Sequence, residues 1–373
     1  MKSDLCKTLT LSERQIILGL FLIPKFGFKR ITQLFKFYKD WHQIWNLNYQ
    51  NLKKINFNSS LIEIFLENRN KINLKETWNK YIEKNIKIIT YFDENYPYLL
   101  KEIFSPPLVL FAWGNIELLK RKNLLSVVGS RKHSSYGKSV IEKYIKVIAE
   151  QNITIVSGLA IGIDTLAHIE SLNTLGSTIS VLGSPINEIY PAKNFRLAQQ
   201  IKNKGLILSE FPIGSKMAKE NFPRRNRIIA GLSQATLIIE AQKKSGALIT
   251  GNYALNENRE LLAIPGSIFQ NTCQGTNNLI KQGAKLVNDI SDILEIYNLQ
   301  NIPKIKKEKI NFKNKEQEII YQLLLQEASS IDKIAIYSRL RISIVISCLT
   351  EMELSNLIKN IGNQTYQICS PNS

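Results

Sequence analysis

Leu124-Leu125-Ser126-Val127-Val128-Gly129-Ser130-Arg131-Lys132-His133-Ser134-Ser135-Tyr136-Gly137-Lys138-Ser139 reads as a short strand that ends in a glycine turn and opens a helix. The strand is apolar on both of its alternating faces, as a strand covered on both sides must be. Five further runs share this character: Ile153 to Val156, Thr178 to Leu182, Leu206 to Leu208, Ala235 to Ile239 and Leu261 to Ile264. Helix-length amphipathic segments separate them, so neighbouring strands lie parallel and are joined by right-handed crossovers. The pattern predicts an α/β domain, a doubly wound, mostly parallel sheet over residues 87–298. In such sheets ligands bind beyond the carboxyl ends of the strands.

The unusual residues fall at those ends. Gly129, Ser130 and Arg131 close the first run: glycine lets a ligand approach the backbone, the helix start supplies N–H groups and Arg131 adds charge, which together make an anion site. Gly137-Lys138-Ser139 imitates the end of a triphosphate-binding loop, but Lys132 stands where that loop needs its first glycine, which disfavours a nucleoside triphosphatase. Ser157-Gly158 opens a second turn of this kind and Ser245-Gly246 a third. The densest charge is Asn221-Phe222-Pro223-Arg224-Arg225-Asn226-Arg227, where three arginines within four positions are expected to point guanidinium forks at a polyanion. Ser209-Glu210 and Glu240 also close strands. Asp164 and His168 share a helix face, yet with no third ligand spaced for a metal they read as a helix-dipole carboxylate and a packed histidine. The chain lacks the glycine–serine–glycine elbow of a serine hydrolase.

The flanks differ in kind. Residues 1–86 read as a helical domain, Ser12 capping a first helix through Leu22. Its Ile23-Pro24-Lys25-Phe26-Gly27 turn fits either a phosphate-holding helix-hairpin-helix or a plain helical turn. Residues 299–315 are basic and proline-marked, a linker. Residues 316–373 offer three helices and a hairpin around Gly362, a winged-helix shape that serves DNA in some proteins and protein partners in others. Net charge is +18 over 373 residues, with +7 in residues 1–105, +8 in 106–296 and +3 in 297–373. Such a field favours nucleic acid or an anionic membrane. The apolar run from Ile16 to Pro24 is too short to span a bilayer, and Cys6, Cys273, Cys348 and Cys369 have neither zinc spacing nor a secretory context, so a reduced cytoplasm is expected.

Taken in order, these motifs resemble the DprA/Smf family of bacterial DNA-processing proteins. The resemblance runs from Tyr91-Phe92-Asp93-Glu94-Asn95-Tyr96-Pro97 through Val128-Gly129-Ser130-Arg131, Ser157-Gly158 to His168 and Tyr190-Pro191-Ala192-Lys193-Asn194. It continues through Phe222-Pro223-Arg224-Arg225-Asn226-Arg227 to Ser233, Ser245 to Thr250, Ile264-Pro265-Gly266-Ser267 and Gln274-Gly275-Thr276-Asn277-Asn278. It implies a Rossmann-like domain with an N-terminal helical (helix-hairpin-helix or SAM-like) domain and a C-terminal winged helix. It also implies a homodimer that binds single-stranded DNA and loads RecA onto it during natural transformation, with no enzymatic activity, cofactor or metal. The DNA-binding residues it implies are Gly129, Ser130, Arg131, Ser157, Gly158, Lys193, Arg224, Arg225, Asn226, Arg227, Ser245 and Gly246. The competing class is a nucleotide-cleaving phosphoribohydrolase on a related sheet. The glutamate of that class's glycine-rich signature has no counterpart in Gln274-Gly275-Thr276-Asn277-Asn278.

Overall fold

The computed structural model describes residues 8–299, 312–326 and 328–368. The chain divides into two compact units, residues 1–300 and 301–373. The first opens with six helices: α1 (Leu11–Leu22), α2 (Phe28–Tyr38), α3 (Trp41–Trp45), α4 (Tyr49–Lys54), α5 (Ser59–Lys71) and α6 (Leu74–Ile82). Thr10, and not Ser12, caps α1. Its hydroxyl accepts from the Glu13 N–H while the Glu13 carboxylate accepts from the Thr10 N–H at 2.8 Å, a reciprocal box that satisfies two orphan donors. Asp40, Asn48, Asn58 and Asn73 cap α3 to α6 with a side-chain oxygen that accepts the N–H three residues on, and only Asn48 forms a reciprocal box, which explains how a chain rich in asparagine starts so many short helices.

The sheet follows, as β1 (Lys87–Thr90), α7 (Tyr98–Glu102), β2 (Val109–Gly114), β3 (Leu124–Val128), α8 (Ser135–Glu150), β4 (Thr154–Ser157), α9 (Ile163–Ser171), β5 (Thr178–Leu182), α10 (Phe195–Lys204) and β6 (Leu206–Ser209). After these come α11 (Asn221–Leu232), β7 (Ala235–Ile238), α12 (Gly246–Asn256), β8 (Glu260–Ala263), α13 (Gln274–Lys281), β9 (Lys285–Leu286) and α14 (Ser291–Leu294). Strand order is β1-β2-β6-β5-β4-β3-β7-β8-β9. Every pairing from β6 to β9 is parallel, and β2 alone runs against the rest. The fold is thus α/β with a mostly parallel sheet, and each of the six expected strands lies within a residue of its place. β1, β2 and β9 are additions. The chain builds outward from β3 to β6, then returns to lay β7 on the other side of β3, so the order reverses between those two strands.

Residue 86 marks a change of element type and not a break in packing. Ile17, Leu18, Trp41 and Phe65 from the helices share one buried cluster with Phe111 of β2, Ile207 of β6 and Leu182 of β5. The Tyr81 ring lies 4.7 Å from that of Phe111 and within 7° of parallel to it. Nearby, Arg14 of α1 meets the buried Asp93 carboxylate at 2.8 Å, and Asp93 also accepts the Thr90 N–H.

The second unit consists of α15 (Lys315–Gln326), β10 (Ser329–Ser330), α16 (Ile331–Ser338), α17 (Ile342–Leu354), β11 (Ile358–Asn360) and β12 (Thr365–Ile368). Its strands form an antiparallel sheet in the order β10-β12-β11 over a core that includes Ile320, Leu324, Ile334, Val345, Leu349 and Met352. Residues 300–311 of the expected linker lie outside the described residues, as do Cys6 and Cys369. The linker's end is already structured: Asn314 accepts the Gln317 N–H at 2.8 Å and α15 begins at Lys315. Cys273 and Cys348 are buried and unpaired.

Phe111 ties the helical segment to the sheet, and that role is measurable. Phe111→Ala should lower the unfolding free energy by about 3–5 kcal/mol in a denaturant titration. Phe269→Ala, at a ring 90% exposed, should leave it within about 0.5 kcal/mol.

Candidate nucleic-acid interface

Where the strand order reverses, a cleft of about 490 Å³ opens beyond the carboxyl ends of β3 and β7. One wall is the turn from Gly129 to Lys132, the opposite wall is the entry to α12 at Ser245, Gly246 and Ala247, and the first turns of α11 close it with Phe222, Pro223, Arg225 and Asn226. Seven expected residues line this cleft: Gly129, Ser130, Arg131, Arg225, Asn226, Ser245 and Gly246. Ser157, Gly158, Lys193, Arg224 and Arg227 do not.

The arginine cluster corrects the sequence reading most sharply. Successive residues on a helix step by 100°, so positions 224, 225 and 227 cannot face one way. Arg227 turns into the protein, where one of its amino groups lies 2.6 Å from both oxygens of the buried Glu210 carboxylate. Arg225 also turns inward. Its guanidinium donates to the carbonyls of Gly158, at 2.8 Å, and Val181, so only its edge reaches the cleft floor. Arg224 alone is open to solvent, 3.3 Å from Glu210 and over the Phe211 ring. The cluster therefore organises buried acids and carbonyls, and the outward guanidinium comb that the sequence suggested does not exist.

Two backbone anion sites read from the sequence are filled by the chain's own carboxylates. At the start of α8 the Ser134 N–H donates to the buried Glu240 at 2.9 Å and the Ser134 hydroxyl donates to its other oxygen. That places a negative charge at the positive end of the helix. In the turn after β4, the N–H groups of Gly158 and Ala160 donate to Asp164 at 3.1 and 3.4 Å. A β-carbon on Gly158 would stand 2.7 Å from the Arg225 guanidinium and 2.8 Å from the Asp164 carboxylate, so glycine is what lets the two groups converge there. Gly162, at φ +94°, closes the same loop against the Ser130 carbonyl. Asn194 braces it from outside, donating to Leu159 O and Thr165 Oγ1 at 2.8 Å, while its neighbour Lys193 stays exposed.

Burial sets the protonation of this layer. It raises the Asp164 carboxyl, against the pull of Arg225 and the two amides, and it pushes the Arg225 guanidinium down to about 10 against Asp164. His168, fully buried with its Nδ1 2.7 Å from the Thr178 hydroxyl, is pushed down to about 3 by burial and by Arg225. Ser157 and Ser130 are braces: the first donates to Val127 O at 2.6 Å, the second to Lys132 O at 2.8 Å. What the cleft leaves for a ligand is the exposed pair Arg131 and Lys132 and the Ser245–Gly246 entry to α12. Sequence reasoning missed Glu210, Glu240 and Asp164 as organisers. The signal of Glu210 and Glu240 was an acidic residue just beyond the end of an apolar strand, where a carboxylate is buried only if it is paired, whereas Asp164 stands in the first turn of α9.

No helix among the described residues is long and apolar enough to cross a membrane, and no metal-ligating cluster occurs among them. The sequence profile of the family described as DNA recombination-mediator protein A matches residues 87–298. The DNA processing protein DprA of Bacillus subtilis is 41% identical over 215 residues, 58% of this chain and 72% of that protein. The Streptococcus pneumoniae DprA is 46% identical over 202 residues, 54% of this chain and 71% of its own. The crystal structure of the S. pneumoniae protein superposes with a TM-score of 0.66 at 35% identity, over 78% of this chain and 98% of the other. A Helicobacter pylori DprA structure, described as revealing a single-stranded DNA binding mode, gives 0.52 at 29% identity, over 57% of this chain and 95% of the other.

Two measurements probe the buried layer. Unfolded His168 takes up a proton below pH 6.5, whereas the folded side chain stays neutral down to about 3. The residue therefore destabilises the fold progressively as pH falls from 6.5, by about 2 kcal/mol at pH 5, and contributes nothing above pH 7. His168→Gln should lose about that much less stability than the wild type between pH 7.5 and pH 5 in paired urea titrations. Separately, Glu210→Ala should cost about 3–5 kcal/mol, because it leaves Arg227 buried without its acid. Arg224→Ala, at the exposed side of the same carboxylate, should cost at most about 1 kcal/mol.

Proposed function

The chain belongs to the DNA recombination-mediator protein A family, and on that premise we propose that it binds single-stranded DNA in the cleft and loads RecA onto the bound strand. The observation that carries the reading is the division of charge in the cleft. The inward Arg225 fixes its floor, and Arg131 and Lys132 stand exposed at its rim. A rim of exposed cations beside polar amides suits phosphodiesters passing along a surface. The single-strand binding described for the H. pylori relative supports the same ligand class. With Phe222 lining the cleft and its ring 5.3 Å from that of Tyr190, phosphate contact outweighs base stacking and sequence preference is slight.

The reading extends to the flanks. The element order of the second unit, one helix, a short strand, two helices and a hairpin, supports a winged helix. The turn from Ile23 to Gly27 supports a helix-hairpin-helix or SAM-like start, and the family membership supports a homodimer.

Anisotropy titrations of a labelled oligothymidylate across a range of salt concentrations test the cleft. Arg131→Ala should weaken binding about tenfold and reduce the slope of log affinity against log salt by about 0.7, one phosphate contact on a single strand. Unchanged affinity and slope would remove Arg131 from the interface. RecA ATP hydrolysis on the same oligonucleotide, precoated with single-strand-binding protein, should rise when the wild-type chain is added and rise less with Arg131→Ala.

A further inference from the structure

A second cavity, of about 450 Å³, opens at the other edge of the sheet from the cleft, against the amino ends of β3 and β7. Its floor is apolar: Tyr96, Leu119, Leu124 and Leu232 belong to one buried cluster, and half-buried Leu99 adds a wall. Most polar groups around it are already used inside the protein. The Gln234 side chain accepts the Leu124 N–H at 3.0 Å and donates to the Lys122 carbonyl, and the Tyr96 hydroxyl donates to Pro107 O at 2.7 Å. Arg121 gives its guanidinium to the carbonyls of Leu175 and Gly176, 2.7 Å from each. Glu94, the single carboxylate among the described residues of the lining, accepts from the Thr8 hydroxyl at 3.1 Å. Two lysines remain at the rim. Lys120 meets Glu117 at 2.8 Å in an exposed pair, and Lys122 is exposed with no ion pair among the described residues.

We propose that this cavity holds a bulky apolar side chain from an acidic segment of a partner protein. A nucleobase seated here would bury several donors and acceptors against walls whose own are satisfied, and each one left unpaired weakens binding. An aromatic or branched apolar side chain brings none, and it replaces water over a floor that is already apolar. The rim sets the sign of what flanks this anchor. Lys122 is free, Lys120 is held only by a weak surface pair, and the net charge of +18 draws acidic partners toward the chain. Two lysines are sparse for a phosphate backbone but sufficient for the carboxylates beside one anchor. The cavity lies wholly within the first unit and shares no residue with the DNA-binding cleft, so its occupant does not depend on the strand bound there.

Anisotropy titrations of the full-length chain with three labelled pentapeptides test it: one phenylalanine between pairs of aspartates, the same peptide with alanine at its centre, and one phenylalanine between pairs of lysines. The first should bind about tenfold more tightly than either of the others. Leu99→Ser should weaken that peptide several-fold and leave the alanine-centred one unchanged. Lys122→Glu should weaken it several-fold and strengthen the lysine peptide, a reversal that a misfolded variant cannot produce. An excess of oligothymidylate should leave peptide binding as it was. Equal binding of the three peptides, or indifference to both Leu99→Ser and Lys122→Glu, would overturn the proposal. So would displacement of the peptide by the oligothymidylate, which would assign the lysine rim to nucleic acid.

Discussion

Two guanidinium groups inside the first unit constrain everything around them. A charge buried beneath a parallel sheet's carboxyl edge is tolerable only when paired or hydrogen-bonded. Arg227 is paired with Glu210 through one amino group while its other is buried without a hydrogen-bond partner, and Arg225 is bonded to two backbone carbonyls beside Asp164. Those partners are supplied by different strands: Glu210 follows β6, Asp164 follows the turn after β4, and Val181 belongs to β5. α11 thereby locks the carboxyl ends of three strands into one register, and the cleft walls inherit their positions from it. The Asn226 amide, set between the Arg225 guanidinium and the Gly246 carbonyl, carries that order on to the start of α12.

The sheet was legible because a doubly covered strand has nowhere to hide its composition: the runs at Leu124, Thr178 and Ala235 are apolar on both faces. β1, β2 and β9 were not legible for complementary reasons. β9 spans two residues, too few to show a period. β2, Val109–Gly114, is an apolar run whose antiparallel direction is set by its partner β6 and not by its own sequence. The helical start was legible as helices, but its merger with the sheet was not, since the Tyr81–Phe111 contact pairs residues thirty positions apart with no local signature.

The candidate site was legible as a place and misread as an electrostatic arrangement. Gly129, Arg131 and Ser245 were found because glycine and serine at strand-to-helix turns have a backbone reason to be there. The arginines were counted as charges, and counting cannot tell which way a helical side chain points. Direction comes from the apolar phase of the helix. Ile228, Ile229 and Leu232 bury the sheet-facing side of α11 and Arg225 falls on that side, whereas Arg227 lies nearly opposite and is held inside by the Glu210 carboxylate. Carboxylates at Glu210 and Glu240 were the missing half of the pattern, because strand-end acids in an otherwise apolar sheet call for internal cations or helix starts.

That exchange of partners bears on which anion the cleft can accept. A mononucleotide on a doubly wound sheet delivers its phosphate to the N–H groups at the first helix start after the switch strand. Here that position, the start of α8, already holds the Glu240 carboxylate, and the next turn holds Asp164. A terminal phosphate dianion driven to the same depth would meet two buried acids. Phosphodiesters, each with a single charge and flanked by neighbours, need no such depth, because they can be met along the rim by Arg131, Lys132 and the open start of α12. The internal carboxylates thus act against a small, deeply seated nucleotide and leave a continuous strand as the ligand whose charge the cleft can still balance.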